Sequence, residues 1–203
     1  MGTLKGKHLI FLGSSVTYGS ATGGISFADF IAENNCCTMT KEAVSGTTLA
    51  DVEEISYISR LKKIRDQKAD LFICQLSTND ATRKLPLGEV SEGFDKEGFD
   101  TKTVAGAIEY IIAYAKEKWN CPVIFYTNPR YDSEIYEAMV ALLCDIAAKW
   151  DVTLIDLWED RKINNFTEEE TKKYMADPIH PTVKGYRDIW TPIFEEVLIK
   201  ALA

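Results

Sequence analysis

Four short apolar runs, separated by longer segments with helical periodicity, constrain the fold of this chain most strongly. Each run is almost continuous in apolar residues, which is typical of strands that are covered on both faces of a sheet. The runs lie at 8–12, 71–76, 123–127 and 153–157. A fifth candidate strand at 37–44, CTMTKEAV, is more polar and is therefore expected nearer the edge of the sheet.

The segments between the runs predict amphipathic helices at 103–119 and 133–149, because each carries its apolar residues on one stripe. A last helix is expected after Pro181, with a kink near Pro192. The alternation of strands and helices predicts an α/β fold, a three-layer α/β/α, flavodoxin-like arrangement with a five-stranded parallel sheet. We expect residues 1–203 to form a single domain.

The loops that follow the strands are where a ligand is expected. In open α/β sheets, ligands bind beyond the carboxyl ends of the strands, so these loops should meet at one edge. They lie at 13–23, 45–49, 77–80 and 128–132. A longer irregular stretch at 80–102 is either a functional loop or a disordered insertion.

Charge and composition exclude several classes of partner. A net charge of −8 argues against nucleic acid or an anionic membrane. No apolar stretch has a membrane-spanning length, and the N-terminal run is too short for a secretory signal, so a cytoplasmic protein is expected. The five cysteines lack the spacing of a zinc site and are predicted to be small buried hydrophobic residues in a reducing compartment. They are Cys36, Cys37, Cys74, Cys121 and Cys144.

The first loop contains the segment LGSSVTYGSATG, residues 12–23, which is rich in small polar residues. Such a loop after a buried strand has three interpretations: a phosphate-binding loop, a turn that presents a nucleophilic serine, or an ordinary surface loop. The rest of the chain has to distinguish them.

Residues elsewhere in the chain favour the nucleophile. Asp177 lies three residues before His180, within reach of its imidazole, and a serine needs a general base oriented in this way. Gly46 follows the second strand and Asn79 the third, so they can offer a backbone N–H and a side-chain amide to a tetrahedral oxyanion. Together with Ser15, these residues are predicted to lie at one edge of the sheet.

This combination resembles the SGNH hydrolases, also called the GDSL-like esterase/lipase family. The four signature residues of that family fall here on Ser15, Gly46, Asn79 and His180. The matching segments GSSVTYG, STND and DPIHP occur in the family's order, and the likeness spans the whole chain. The resemblance implies the SGNH hydrolase fold.

Two positions depart from the family pattern. The family's usual aspartate before the nucleophile is Ser14 here, which leaves two adjacent serines. The spacing from Gly13 and to Gly19 favours Ser15 as the nucleophile. Ser77 replaces the usual glycine two residues before Asn79, which removes no catalytic group.

The resemblance implies a serine hydrolase that needs no metal or cofactor. Ser15, His180 and Asp177 would form the triad, and the backbone N–H groups of Ser15 and Gly46 with the Asn79 side chain would hold the oxyanion. The expected substrate is a short-chain acyl ester, chiefly an acetyl ester, of a carbohydrate or another small molecule. A lysophospholipase or thioesterase of the same family and a non-catalytic flavodoxin-like binding domain remain alternatives.

Three further residues are candidates for contact with the substrate. Tyr18 and Tyr131 could stack on a sugar, although packing in the core or the wall of the site is the usual role of such residues. Arg130 follows the fourth strand and could meet a polar leaving group, with a surface salt bridge as the alternative.

Overall fold

The computed structural model describes residues 2–203 and contains a sheet of five parallel strands. The spatial order β2-β1-β3-β4-β5 is the flavodoxin-like order, so the predicted α/β class is confirmed. The more polar strand β2 lies at the edge, as its composition predicts. The strands are β1 His8–Gly13, β2 Thr38–Ala43, β3 Leu71–Gln75, β4 Val123–Tyr126 and β5 Thr153–Ile155.

Helices cover both faces of the sheet. The predicted helices at 103–119 and 133–149 are present as α5 and α6, each starting one residue later behind a threonine or serine cap. The helices are α1 Ser15–Tyr18, α2 Phe27–Asn35, α3 Tyr57–Leu61, α4 Thr78–Thr82, α5 Val104–Trp119, α6 Glu134–Trp150, α7 Glu168–Tyr174, α8 Val183–Gly185 and α9 Thr191–Ala201. No helix within residues 2–203 is long and apolar enough to cross a membrane.

Alternate residues of each strand enter two separate cores. Ile10 of β1 packs with α3, α5 and α6 on one face, whereas its neighbour Phe11 packs with α2 and α9 on the other. Both side chains are fully buried. This two-sided burial is the physical reason that the strands read as continuous apolar runs.

The last helix is interrupted before Pro192. A π-helical turn, Tyr186–Trp190, separates α8 from α9. Pro192 has no N–H to donate to the preceding turn, and the backbone N–H and hydroxyl of Thr191 both donate to the carbonyl of Tyr186. The predicted kink is therefore present, and it lies in the turn before the proline.

The stretch at 80–102, predicted to be irregular, is ordered. Its first residues belong to α4. Its remaining part (residues 83–102) packs on α5 and, through Phe94 and Trp150, on the end of α6. The ammonium of Lys149 holds it by donating to the carbonyl of Gly93 at 2.6 Å. The same lysine forms an ion pair with the buried carboxylate of Glu109.

The cysteine prediction is only partly correct. Cys37 and Cys74 are buried and Cys121 is half-buried, but Cys36 and Cys144 are exposed. Cys36 ends α2 in the left-handed conformation, with φ of 50°, which turns it out of the core. Cys144 lies on the outer side of α6, whereas Leu143 and Ile146 of the same helix are buried.

Candidate active site

Ser15 and His180 meet at the carboxyl edge of the sheet. Ser15 is the first residue of α1, two positions after the last residue of β1, and its Oγ lies 2.8 Å from Nε2 of His180. The other ring nitrogen of His180, Nδ1, lies 2.7 Å from Oδ2 of Asp177. The hydroxyl of Ser14 is instead fully buried and faces Gln75. Of the two adjacent serines, Ser15 is therefore the one that contacts the imidazole.

The turn that presents Ser15 requires glycine at position 13. A Cβ on Gly13 would lie 1.8 Å from Oγ1 of Thr17, so no other residue fits without moving the turn. The side-chain oxygen of Gln75 accepts hydrogen bonds from the backbone N–H of Ser14 at 3.0 Å and from the Thr17 hydroxyl at 2.9 Å. Gln75 therefore fixes both sides of the turn from the end of β3.

The loop that carries Asp177 and His180 is held by its own carboxylate. Oδ1 of Asp177 accepts from the backbone N–H groups of Ile179 and His180, each at 2.8 Å. Partial burial alone would raise the pKa of Asp177, but these backbone hydrogen bonds and the imidazole outweigh it and hold that pKa below its usual value. Asn128, which follows β4, donates to the carbonyl of Ile179 at 3.1 Å and ties the loop to the sheet.

Gly46 and Asn79 lie on neighbouring loops of the same edge. Gly46 is exposed and has φ of +80°, a conformation that favours glycine. One N–H of the Asn79 amide donates to the carbonyl of Thr47 at 2.9 Å, which orients the amide and leaves its second N–H available. That N–H and the backbone N–H groups of Ser15 and Gly46 have no acceptor among residues 2–203. These donors are the kind that a developing oxyanion requires.

Arg60, which no sequence motif marks, links the turn before Ser15 to the loop that contains Gly46. Its guanidinium is buried and donates to the carbonyl of Gly13 at 2.9 Å and to the hydroxyl of Thr47 at 3.0 Å. It also donates to the carbonyls of Glu42 and Ile55. No local sequence signal marks this residue, because the groups that it bonds are mainly backbone carbonyls distant in the chain.

Asp80 supports the same edge. Its carboxylate is buried and accepts from the backbone N–H groups of Leu49 at 2.8 Å and Ala50 at 2.9 Å. Burial raises the pKa of Asp80 above its usual value, although both backbone hydrogen bonds act in the opposite direction. Because Asp80 adjoins Asn79, these bonds fix the distance between α4 and the loop after β2.

The three candidate substrate residues lie in different surroundings. Tyr18 is 42% exposed and follows Ser15 in the same short helix. Tyr131 is half-buried, and its ring packs 5.1 Å from that of Tyr136, with its hydroxyl inside the protein. Arg130 is exposed, its Nε donates to the carbonyl of Trp158 at 2.9 Å, and its Nη2 forms the surface ion pair given above as the alternative, with Glu159. Tyr131 therefore packs in an aromatic wall, whereas Tyr18 and Arg130 are accessible.

A cavity of about 480 Å³ lies beside Asp177, and we call it the Asp177 cavity. It is formed by α7, the loop at 163–166, the loop after β4 and the segment that leads to His180. Arg130, Ile163, Phe166, Lys172 and Met175 are among the residues that line it. It adjoins Asp177, at the end of the hydrogen-bonded series Ser15–His180–Asp177.

Solved structures with the same fold come from several bacteria. A Lactobacillus plantarum protein has a TM-score of 0.80 at 19% identity, covering 96% of this chain and 97% of its own. A member of the lipolytic protein G-D-S-L family from Veillonella parvula has a TM-score of 0.66 at 16% identity, covering 94% and 97%. A family two carbohydrate esterase from Clostridium thermocellum, in complex with cellohexaose, has a TM-score of 0.68 at 15% identity, covering 100% of this chain and 66% of its own. At these identities the likeness establishes the fold.

Sequence comparison supplies the family. No curated protein matches this chain. The model of the GDSL-like Lipase/Acylhydrolase family matches residues 11–187, a range that includes Ser15, Gly46, Asn79 and His180. The chain therefore belongs to the GDSL-like lipase/acylhydrolase family.

Proposed function

We propose that this protein is a serine esterase that hydrolyses short-chain acyl esters, chiefly acetyl esters, through an acyl-enzyme on Ser15. The observation that carries the proposal is the continuous hydrogen-bonded chain from Oγ of Ser15 through the imidazole of His180 to the carboxylate of Asp177. A serine is a weak nucleophile unless a base accepts its proton, and an oriented imidazole is such a base.

In the proposed reaction, Nε2 of His180 takes the proton from Ser15 as its Oγ attacks the ester carbonyl. The negative charge on the carbonyl oxygen is held by the backbone N–H groups of Ser15 and Gly46 and by the Asn79 amide. A donor of this kind stabilises the transition state by about 3–4 kcal/mol. His180 then gives its proton to the departing alcohol, and water releases the acid from Ser15 by the same route.

The proposed substrate is the acetyl ester of a carbohydrate or another small molecule. Support for a carbohydrate comes from the shared fold with the Clostridium thermocellum carbohydrate esterase. The exposed ring of Tyr18, in the same short helix as Ser15, could stack on the apolar face of a sugar.

We further propose that the protein works in a reducing compartment such as the cytoplasm. Its five cysteines are all free thiols, and none is paired in a disulfide. Cysteines remain reduced where glutathione and thioredoxin act, whereas exposed thiols in an oxidising compartment tend to pair.

Intact-mass measurement after incubation with a fluorophosphonate tests the nucleophile. Wild type, Ser14→Ala and Ser15→Ala are compared, with circular dichroism to establish that each is folded. We expect one adduct on wild type and on Ser14→Ala, and none on Ser15→Ala. Hydrolysis rates on a series of acetyl, butyryl and octanoyl esters and on acyl thioesters then define the acyl group and the bond.

Two results would overturn the proposal. Adduct formation on folded Ser15→Ala would show that another residue is the nucleophile. No adduct on wild type, together with tight binding of an acyl or sugar ligand and no turnover, would favour the non-catalytic binding domain. Preference for octanoyl esters or thioesters would instead favour the lysophospholipase or thioesterase activity.

A further inference from the structure

The Asp177 cavity is the feature from which a substrate class can be derived. We propose that it binds the leaving alcohol of the ester, and that this alcohol carries an anionic group, either a phosphate or a carboxylate. The inference rests on the proposed esterase function, because it assigns one part of the substrate to a place beside the reacting serine.

The position of His180 gives the direction in which the leaving group extends. When Ser15 displaces the alcohol, its oxygen must receive a proton from Nε2 of His180, so the alcohol lies against the imidazole. Asp177 lies on the far side of that ring and lines the cavity. Its side chain is 47% exposed, and that of His180 is 22% exposed. An alcohol that covers the imidazole therefore reaches the cavity over accessible surface.

The polar groups of the cavity define the charge of its ligand. The carboxylate of Asp177 already accepts hydrogen bonds from two backbone N–H groups and from the imidazole. In contrast, Nζ of Lys172 and Nη1 of Arg130 have no acceptor among residues 2–203, although Nη2 of Arg130 is already paired with the carboxylate of Glu159. The carboxylate of Asp177 is occupied, while Lys172 and one nitrogen of Arg130 are available as donors, so the matching ligand presents negatively charged acceptors.

The remaining wall fits the carbon skeleton of such an alcohol. Ile163 is buried, and Phe166 and Met175 are half-buried, so part of the cavity wall is apolar. Its volume of about 480 Å³ lies in the usual range for small-molecule sites. A ring or short chain can lie on this part of the wall with its anionic group directed toward Arg130 and Lys172.

Three acetyl esters with the same aromatic ring test the inference. They are 4-acetoxybenzamide, which is neutral, 4-acetoxybenzoate and 4-acetoxyphenyl phosphate. The quantity measured is the ratio of kcat/KM for each anionic ester to kcat/KM for the amide. Because the same ratio is compared among variants, differences in the intrinsic reactivity of the esters cancel. The two anionic esters distinguish a phosphate from a carboxylate ligand.

The variants are Lys172→Gln, Arg130→Gln and, as a control, Lys173→Gln. Lys173 is the next residue of α7 and does not line the cavity, and its replacement changes the net charge by the same amount. We expect the ratio to fall about tenfold for Lys172→Gln and for Arg130→Gln, mainly through KM, as for loss of a charge-assisted hydrogen bond. Lys173→Gln should keep the wild-type ratio.

The results separate this inference from the proposed function. If all three esters are hydrolysed but the ratio is unchanged in Lys172→Gln and Arg130→Gln, the cavity does not bind an anionic alcohol, and the esterase proposal stands. An equal fall in Lys172→Gln and Lys173→Gln would mean that only overall charge matters, which also overturns the inference. If no ester is hydrolysed and no fluorophosphonate adduct forms, both proposals fail together.

Discussion

His180 forms hydrogen bonds through both ring nitrogens, and Asp177 decides which nitrogen carries the proton. The carboxylate accepts from Nδ1, so Nε2 is left as the acceptor that faces Ser15. In Asp177→Asn, the amide keeps one oxygen for the backbone N–H groups of Ile179 and His180, but its NH₂ group donates to Nδ1. The proton then lies on Nε2, and His180 cannot accept one from Ser15.

We therefore predict that Asp177→Asn lowers kcat by about 10⁴-fold, the effect of the wrong tautomer in a serine triad. The melting temperature should stay near that of wild type, because the loop keeps its backbone hydrogen bonds. Steady-state kinetics on an acetyl ester and calorimetry measure the two quantities. A variant with kcat within tenfold of wild type would show that Asp177 does not orient the imidazole.

Asn79 has a separate proposed role: its amide donates one N–H to the carbonyl of Thr47, and we propose that its second N–H donates to the oxyanion. Asn79→Ala should lower kcat by about 10²–10³-fold with little change in KM. Asn34→Ala is the matched control, because the amide of Asn34 bonds Glu195 on the surface. A near-normal kcat in folded Asn79→Ala would remove Asn79 from the oxyanion site.

At the scale of the elements, buried polar groups join the loops at the carboxyl edge of the sheet, where the candidate site lies. Arg60, on α3, bonds the end of β1 through Gly13 and the loop after β2 through Thr47. Thus one side chain couples the turn that holds Ser15 to the loop that holds Gly46. Hydrophobic packing alone would leave these loops free to move relative to each other.

Replacement of Arg60 by methionine should be costly, because it removes the guanidinium donor from the carbonyl of Gly13 and the hydroxyl of Thr47, whose bonds to it are buried. We predict that Arg60→Met lowers the free energy of unfolding by about 3 kcal/mol or more, measured by urea denaturation. Arg65→Met, at an exposed position of the following loop, is the control and should change it by less than about 0.5 kcal/mol. An Arg60→Met value as small as that of the control would contradict a bridging role.

For the whole molecule, the buried carboxylate of Asp80 predicts part of the pH dependence of stability. Its pKa is raised in the folded protein, so the stability that it contributes is fully present below its unfolded pKa and is lost as pH rises through its folded pKa. Asp80→Asn removes this titration. The advantage of wild type over Asp80→Asn in free energy of unfolding should therefore be larger near pH 4 than at pH 7.

Urea denaturation of both proteins at several pH values measures that difference. The lowered pKa of Asp177 acts in the opposite direction, with stability lost as pH falls through its folded pKa, but it is present in both proteins and cancels. An advantage of wild type that grows from pH 4 to pH 7 would contradict the prediction for Asp80.

The sequence was sufficient to predict the class of fold and its order of elements. Burial on both faces of the sheet makes β1, β3 and β4 continuous apolar runs, and Thr103 and Ser133 mark where helices begin. The residues around Ser15 and His180 could be chosen because each lies directly after a strand or in a recognisable short motif.

Other features depend on contacts between distant parts of the chain and have no local signal. Arg60 and Asp80 look like surface charges in the sequence, yet both are buried. Each forms hydrogen bonds with backbone groups that lie about thirty or more residues away in the chain. The Asp177 cavity requires α7, a loop and Arg130 to be brought together. Cys36 is exposed because it caps α2 in the left-handed conformation, a position for which glycine or asparagine is the usual residue.

Ser15 and His180 lie 165 positions apart in the chain. During synthesis, the proposed nucleophile therefore emerges long before the proposed base. The proposed mechanism predicts that its hydroxyl stays as unreactive as that of any free serine until the segment at Asp177–His180 has been made and has packed against Asn128. The rate at which a fluorophosphonate labels a refolding chain consequently reports when the two ends of the chain come together.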